Sequence, residues 1–258
     1  MTDLKLKQTR ILVTRPAHQA EKLYNLIEQN NGVPICLPTI EVVPLILKKI
    51  GLEQSLTNSD WFIFTSTNAV RCYCSQLDDA KMRQLKTKSC LAIGGATAKA
   101  LITVGLNVDL MPGHGYNSEA LLELLASRDV SQKTILIIRG ENGREILAET
   151  LKKRGANVGY QDVYKREIPE IDCTQISQLI LQKQLNFITI TSGEAIQNLV
   201  TMLPETQHDL LKKIPLIVVS ERIQTIAKNL GFETIALTQM PSDDAILKTI
   251  TTMIINGE

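Results

Sequence analysis

The sequence predicts an α/β fold: two doubly wound parallel-sheet lobes that arose by tandem duplication. Ile11-Leu12-Val13-Thr14-Arg15 returns as Ile135-Leu136-Ile137-Ile138-Arg139, and Phe64-Thr65-Ser66 returns as Ile190-Thr191-Ser192. Leu91-Ala92-Ile93-Gly94 returns as Ile217-Val218-Val219-Ser220. The offsets of 124, 126 and 126 residues are nearly constant and about half of the 258-residue chain, so one large module is written twice. Short runs rich in Val and Ile also alternate with stretches of helical period, the pattern of a parallel sheet covered on both faces. Finally, two extended segments, one bracketed by prolines and one ending in proline, interrupt the alternation at corresponding places. Two similar lobes follow, with the cleft between them as the expected ligand site.

The elements can be justified in order. Leu4-Lys5-Leu6 leads into a strand over 11–13. A helix follows, because Leu23, Leu26 and Ile27 share one face while Glu21, Lys22 and Glu28 share the other. Asn31-Gly32 stops it at a left-handed cap, and Val33 to Leu37 is the next strand. The second copy repeats this as a strand over 135–138, a helix with Leu147 and Leu151 inward, Gly155 as the stop, and a strand over 157–160. Trp61 to Phe64 and Phe187 to Ile190 are buried strands, each running into Thr-Ser and a helix start. Strands over 91–93 and 216–219 precede helices over 96–104 and 221–230, which Gly105 and Gly231 end. The interrupting segments are Leu37 to Pro44 and Val163 to Pro169. Proline there favours edge-like extended chain. They are read as paired linkers where the chain leaves one lobe for the other.

Composition narrows the function. Hydrophobic residues are 44% and charged residues 21%, as in a soluble globular protein. Aromatics are only 4% and the net charge is +1, which argues against base stacking and against steering of nucleic acid. The first ten residues lack the apolar core of a signal peptide, and no apolar run is long enough to span a bilayer, so a cytoplasmic protein is expected. Five scattered cysteines fit reduced thiols, and Cys72-x-Cys74 lacks a second pair with metal-ligand spacing.

In open parallel sheets ligands collect beyond the C-terminal strand ends. Here those ends are Thr14-Arg15, Thr65-Ser66, Gly94-Gly95, Arg139-Gly140, Thr191-Ser192 and Ser220, each at a helix start. Helix starts expose free N–H groups and the positive dipole end, which suits an anion touched at many points. The plain alternative is that each Ser or Thr is an ordinary N-cap, worth about 1 kcal/mol; recurrence in both copies favours the ligand. Arg15 and Arg139 suit a carboxylate or phosphate, or equally an ion pair. Tyr164, beside Lys165 and Arg166, faces the cleft or packs its segment against a lobe. His18, His114 and His208 show no triad or metal pattern.

Familiar motifs are missing. Gly113-x-Gly115 would need glycine at 118 to complete a dinucleotide fingerprint, and Ser118 stands there. There is no Walker loop, nucleophile elbow or HExxH. No cofactor and no nucleophile are expected, so an enzyme of this sequence works mainly by holding its substrate in shape.

Taken together, certain segments resemble the uroporphyrinogen-III synthase family. They are Ile11-Leu12-Val13-Thr14-Arg15-Pro16, Asp60 to Val70, Ala92 to Leu101, Arg139-Gly140-Glu141-Asn142-Gly143-Arg144-Glu145 and Val163-Tyr164-Lys165-Arg166. Thr191-Ser192-Gly193, Val219-Ser220-Glu221-Arg222 and the Gly231-Phe232 helix stop continue the series across nearly the whole chain. Gly95 departs from it, since the family often has proline there, which bears on loop stiffness. The resemblance implies two α/β lobes joined by a two-stranded linker, with residues 1–37 and 170–258 in one lobe, 46–162 in the other, and 38–45 and 163–169 as the linkers. It implies a cofactor-independent hydro-lyase and a monomer. The implied substrate is hydroxymethylbilane, cyclised in the interlobe cleft with inversion of ring D and loss of water. Tyr164 matches the family's linker tyrosine and becomes the candidate proton donor. Candidates to touch the substrate's carboxylates are Arg15, Thr65, Ser66, Thr97, Arg139, Thr191, Ser192 and Ser220. Two rivals remain at this stage: a non-catalytic two-lobed sensor of an anionic metabolite, and a nucleotide-binding enzyme, which the absent phosphate loops weaken.

Overall fold

The computed structural model describes residues 6–115 and 117–256. Leu4 and Lys5, read above as leading into the first strand, lie outside them, as does the side chain of His18. In chain order come β1 (Arg10–Val13), α1 (Ala17–Gln29), β2 (Val33–Cys36) and β3 (Glu41–Pro44). Next are α2 (Lys49–Asn58), β4 (Trp61–Phe64), α3 (Thr67–Cys74), α4 (Asp79–Leu85), β5 (Ser89–Ala92), α5 (Gly95–Thr103) and α6 (Ser118–Leu124). β6 (Thr134–Gly140), α7 (Ile146–Lys153) and β7 (Asn157–Glu167) follow. Last are α8 (Thr174–Leu181), β8 (Phe187–Ile190), α9 (Gly193–Met202), α10 (His208–Lys212), β9 (Leu216–Val218), α11 (Glu221–Asn229), β10 (Ile235–Leu237) and α12 (Asp243–Asn256).

The chain divides into two compact units, Met1–Glu41 with Glu167–Glu258, and Val42–Arg166. Each holds one five-stranded sheet, ordered β10-β9-β8-β1-β2 in the first and β3-β7-β6-β4-β5 in the second. These orders reveal how the duplication is used. β1, β2, β8 and β9 correspond to β6, β7, β4 and β5, so β2-β1-β8-β9 has the same neighbours as β7-β6-β4-β5. A bridge between Leu91 and Leu110 even supplies the counterpart of β10 beside β9. Each unit is therefore a hybrid, taking one half from the first copy of the module and the other half from the second.

Both sheets are sandwiched, which is why their strands read as unbroken apolar runs. In the second unit Phe62, Phe64 and Ile138 face one core while Ile63, Ile135 and Ile137 face the opposite one. In the first, Leu12, Ile188 and Ile190 face one side, and Ile11, Val13 and Phe187 the other. Alternation at period two places successive side chains on opposite faces. Each fully buried Leu, Ile or Phe contributes about 1.5–3 kcal/mol. The helix stops behave as the sequence requires: Gly105 and Gly231 sit at φ of 79° and 87°, a region closed to most L-residues.

The two proline-marked segments, read as linkers, contribute strand over Glu41–Pro44 and up to Glu167. β3 is the edge strand beside β7, where Pro44 costs no central ladder bond. β7 runs on through Glu167 instead of stopping near Tyr160. Its register against β6 slips between Arg139 and Gly140: Arg139 pairs with Asp162 and Gly140 with Tyr164. Val163 is thereby an extra residue. The bulge lets Val163 and Tyr164, though consecutive, pack into the same core, which an unbroken strand forbids.

Candidate functional site

Tyr164 lies opposite Gly140 at the C-terminal end of β6, and its ring is 7% exposed. A Cβ on Gly140 would stand 2.6 Å from the ring's Cε2 and Cζ and 3.0 Å from its oxygen, so only glycine admits the ring there. The Glu141 N–H donates to Tyr164 O at 2.9 Å and fixes the backbone behind it. The phenol oxygen is 3.1 Å from Ser66 Oγ. Ser66 follows β4, and its Oγ also accepts from the Ala69 N–H at 3.0 Å, capping α3. The first-turn amides of Thr67 and Asn68 precede the first intrahelical bond, Val70 N–H to Ser66 O at 3.2 Å. Thr65 closes the same corner by donating its N–H and its Oγ1 to Ile138 O, at 3.1 and 3.2 Å.

Arg139 is 9% exposed, and its Nε and Nη1 are engaged within the unit. Nε donates to Asp162 at 2.9 Å, and Nη1 to Glu145 at 2.9 Å and to Gly143 O at 3.1 Å. The guanidinium lies 3.6 Å over the Tyr160 ring, a stacked cation–π contact. Tyr160 in turn donates its hydroxyl to Glu145. That bond, followed by the arginine, holds the Glu145 carboxyl below its ordinary range. Desolvation and then the same carboxylate push the Tyr160 phenol up to about 12. This network ties the 141–145 turn to β7.

The first unit has a matching rim. Ser192 caps α9 by accepting from the Ala195 N–H at 3.0 Å, and Ser220 caps α11 from the Ile223 N–H at 3.4 Å. Arg15, the counterpart of Arg139, is ion-paired with Asp243 at the start of α12. Thr14 is 1% exposed and donates Oγ1 to Thr189 O at 2.8 Å, so it ties β1 to β8 rather than facing solvent.

The chain matches the family model described as Uroporphyrinogen-III synthase HemD over residues 21–248. It is 32% identical over 244 residues to uroporphyrinogen-III synthase of Escherichia coli K12, spanning 93% of this chain and 99% of that one. The enzyme of Salmonella typhimurium LT2 matches with 32% identity over 247 residues and the same coverages. The chain belongs to the uroporphyrinogen-III synthase family. A solved member, uroporphyrinogen-III synthetase from Helicobacter pylori 26695, shares the fold with a TM-score of 0.64 at 17% identity, covering 95% of this chain and 99% of that one.

Within this uroporphyrinogen-III synthase frame, the candidate residues fall into distinct settings. Tyr164, Ser66 and Thr65 converge on one corner of the second unit. Thr97 lies in the first turn of α5, 4% exposed, behind Gly94, which offers no side-chain cap. Ser192 and Ser220 cap their helices, and Thr191 is half-buried beside them at the end of β8. Arg15 and Arg139 both have acidic partners inside their own units. The sequence marks Gly140 only as part of the Arg139-Gly140 strand end, not as the seat of the Tyr164 ring, and leaves Tyr160 and Asp162 unmarked. The Arg-Gly dipeptide at a strand end was the available signal for Gly140. Nothing marks Tyr160 or Asp162 until the β6–β7 register brings them beside Arg139. Among the described residues no helix is long and apolar enough to cross a membrane.

Proposed function

We propose that this chain runs the uroporphyrinogen-III synthase reaction with Tyr164 as proton donor and the strand-end helix starts as carboxylate anchors. The activity is the family's hydro-lyase step in porphyrin biosynthesis, and the substrate the family implies is hydroxymethylbilane. That linear tetrapyrrole carries acetate and propionate groups and a terminal hydroxymethyl group. When the hydroxyl leaves as water, the carbon becomes a reactive azafulvene that closes without further help. Unguided closure gives the symmetric type I product. The type III product requires attack through a spiro intermediate that turns ring D over. Selecting that route is a matter of held geometry, which supplies several kcal/mol.

The observation that carries the reading is the placement of Tyr164, a phenol fixed at a C-terminal strand end against Gly140 and Ser66. A positioned general acid speeds departure of hydroxide. Helix-start amides at α3, α9 and α11 suit the carboxylates by hydrogen bonding and dipole. Arg15 and Arg139 each fix the segments beside the helix starts of their own unit. We also read the protein as a cytoplasmic monomer, which light scattering on a sizing column tests. Turnover of Tyr164→Phe across pH tests the donor: the reaction slows by about tenfold to a hundredfold without stopping. Full turnover at every pH would remove Tyr164 from that role.

A further inference from the structure

We propose that Ser66 is a positioning residue for Tyr164, donating its hydroxyl proton to the phenol oxygen so that the phenol's own proton stays available to the leaving group. This rests on Tyr164 being the proton donor and names the group that aims it. Ser66 Oγ has two partners, the Ala69 N–H at 3.0 Å and the Tyr164 oxygen at 3.1 Å. A serine hydroxyl carries one proton and two lone pairs. The Ala69 amide takes one lone pair, which leaves the second lone pair and the proton, and the phenol oxygen lies within reach of either. Were the bond reversed, Tyr164 would spend its proton on the serine.

The reaction itself sets the direction. As the C–O bond of the hydroxymethyl group breaks, the pyrrole nitrogen lone pair moves toward the carbon. The departing oxygen takes the Tyr164 proton and leaves as water. A phenolate remains, and in its pair with Ser66 the serine hydroxyl is then the donor. The bond thereby becomes charge-assisted, roughly twice as strong as the neutral one. An interaction that strengthens as the barrier is crossed accelerates the step. The positive end of α3, which Ser66 caps, acts in the same direction. The azafulvene carbon bonds to the ring D carbon that already carries the bridge from ring C, giving the spiro intermediate. That bridge bond then breaks and re-forms at the free α carbon of ring D, which releases its proton and restores the phenol. Gly140 serves the same end from below, since its missing side chain lets the ring lie flat enough to reach Ser66.

The test separates aiming from helix capping. Ser66→Asp keeps an acceptor for the Ala69 amide, because aspartate caps as well as serine, but has no hydroxyl to donate. Its kcat is expected to fall about tenfold, with the urea midpoint near wild type. Ser66→Thr, which keeps both functions, restores the rate. Ser66→Ala loses about tenfold in kcat alone, yet less than about twofold in a Tyr164→Phe background, because its effect passes through the phenol. An aspartate variant as fast as wild type overturns the inference. So does a Ser66→Ala loss that keeps its full size on top of a slow Tyr164→Phe, which would mean that Ser66 acts on substrate directly. Full turnover by Tyr164→Phe alone is a different outcome, and it removes the donor reading and this inference together.

Discussion

Gly140 and Tyr164 are in contact so close that a single added methyl group has no room: its carbon would stand 2.6 Å from the ring. The ring cannot swing away cheaply, because it is buried in the same core as Val163 and Ile138. Gly140→Ala is therefore expected to cost about 1–3 kcal/mol of stability and to lower kcat together with it. Urea denaturation and steady-state turnover on the same preparation check both. An alanine variant with wild-type stability and rate would mean that the ring is not held as described.

Arg139 is expected to act through structure. Removing it leaves Glu145 and Asp162 without their cation, although their side chains are 55% and 38% exposed and regain water. Arg139→Ala should cost about 1–3 kcal/mol, below the usual toll for a fully buried pair. Arg139→Lys should recover only part, since lysine cannot fork to two carboxylates while stacking on Tyr160. Urea midpoints of the two variants rank them.

The same network gives stability a pH dependence with a definite sign. Glu145 has a lowered folded-state pKa, chiefly from the Tyr160 hydroxyl and then Arg139. A depressed carboxylate contributes stability that is complete above its unfolded value, here 4.5, and drains away as pH falls through the folded value. Tyr160 is raised from 10.0 to about 12, so its neutral form is favoured and stability is lost as pH climbs through that interval. Glu145→Gln should flatten the acid side of the stability profile and soften the alkaline loss. Urea midpoints from pH 3 to 11 would show it, and an unchanged acid slope would contradict it.

Ser192 and Ser220 offer a comparison between caps of different quality. The Ser192 bond is 3.0 Å and the Ser220 bond 3.4 Å. Ser192→Ala should cost about 1 kcal/mol and Ser220→Ala less. If the helix starts anchor substrate carboxylates, both variants raise KM severalfold while kcat stays within about twofold. Unchanged KM in both would leave them as caps alone.

The legibility of these features in the sequence follows their range. Strands such as Trp61–Phe64 and Phe187–Ile190, and stops such as Gly105, are set by local pattern and could be read directly. α12 could not, because six of the seven residues from Thr249 to Ile255, all but Met253, are β-branched and favour strand as much as helix. The duplication is plain, but the repeat offset alone says nothing about which half-copies share a sheet; only the family resemblance groups residues 1–37 with 170–258, as the pairing of β1 with β8 requires. Tyr164 came from resemblance and position. Its partner Ser66, 98 residues away, stood in the sequence as one strand-end serine among several until the β6–β7 bulge aimed the phenol at it. Arg15 and Arg139 read equally as ligand groups or as ion-pair members, because the acids beside them, Asp243, Glu145 and Asp162, are brought there by the fold.

The central claim is that held geometry directs closure to the type III isomer, and one assay reaches it most directly. Porphobilinogen and its deaminase would generate hydroxymethylbilane in the presence of this protein, with the products oxidised and the isomers separated. Predominantly type III product is expected. Type I alone, from protein shown by circular dichroism to be folded, would contradict it.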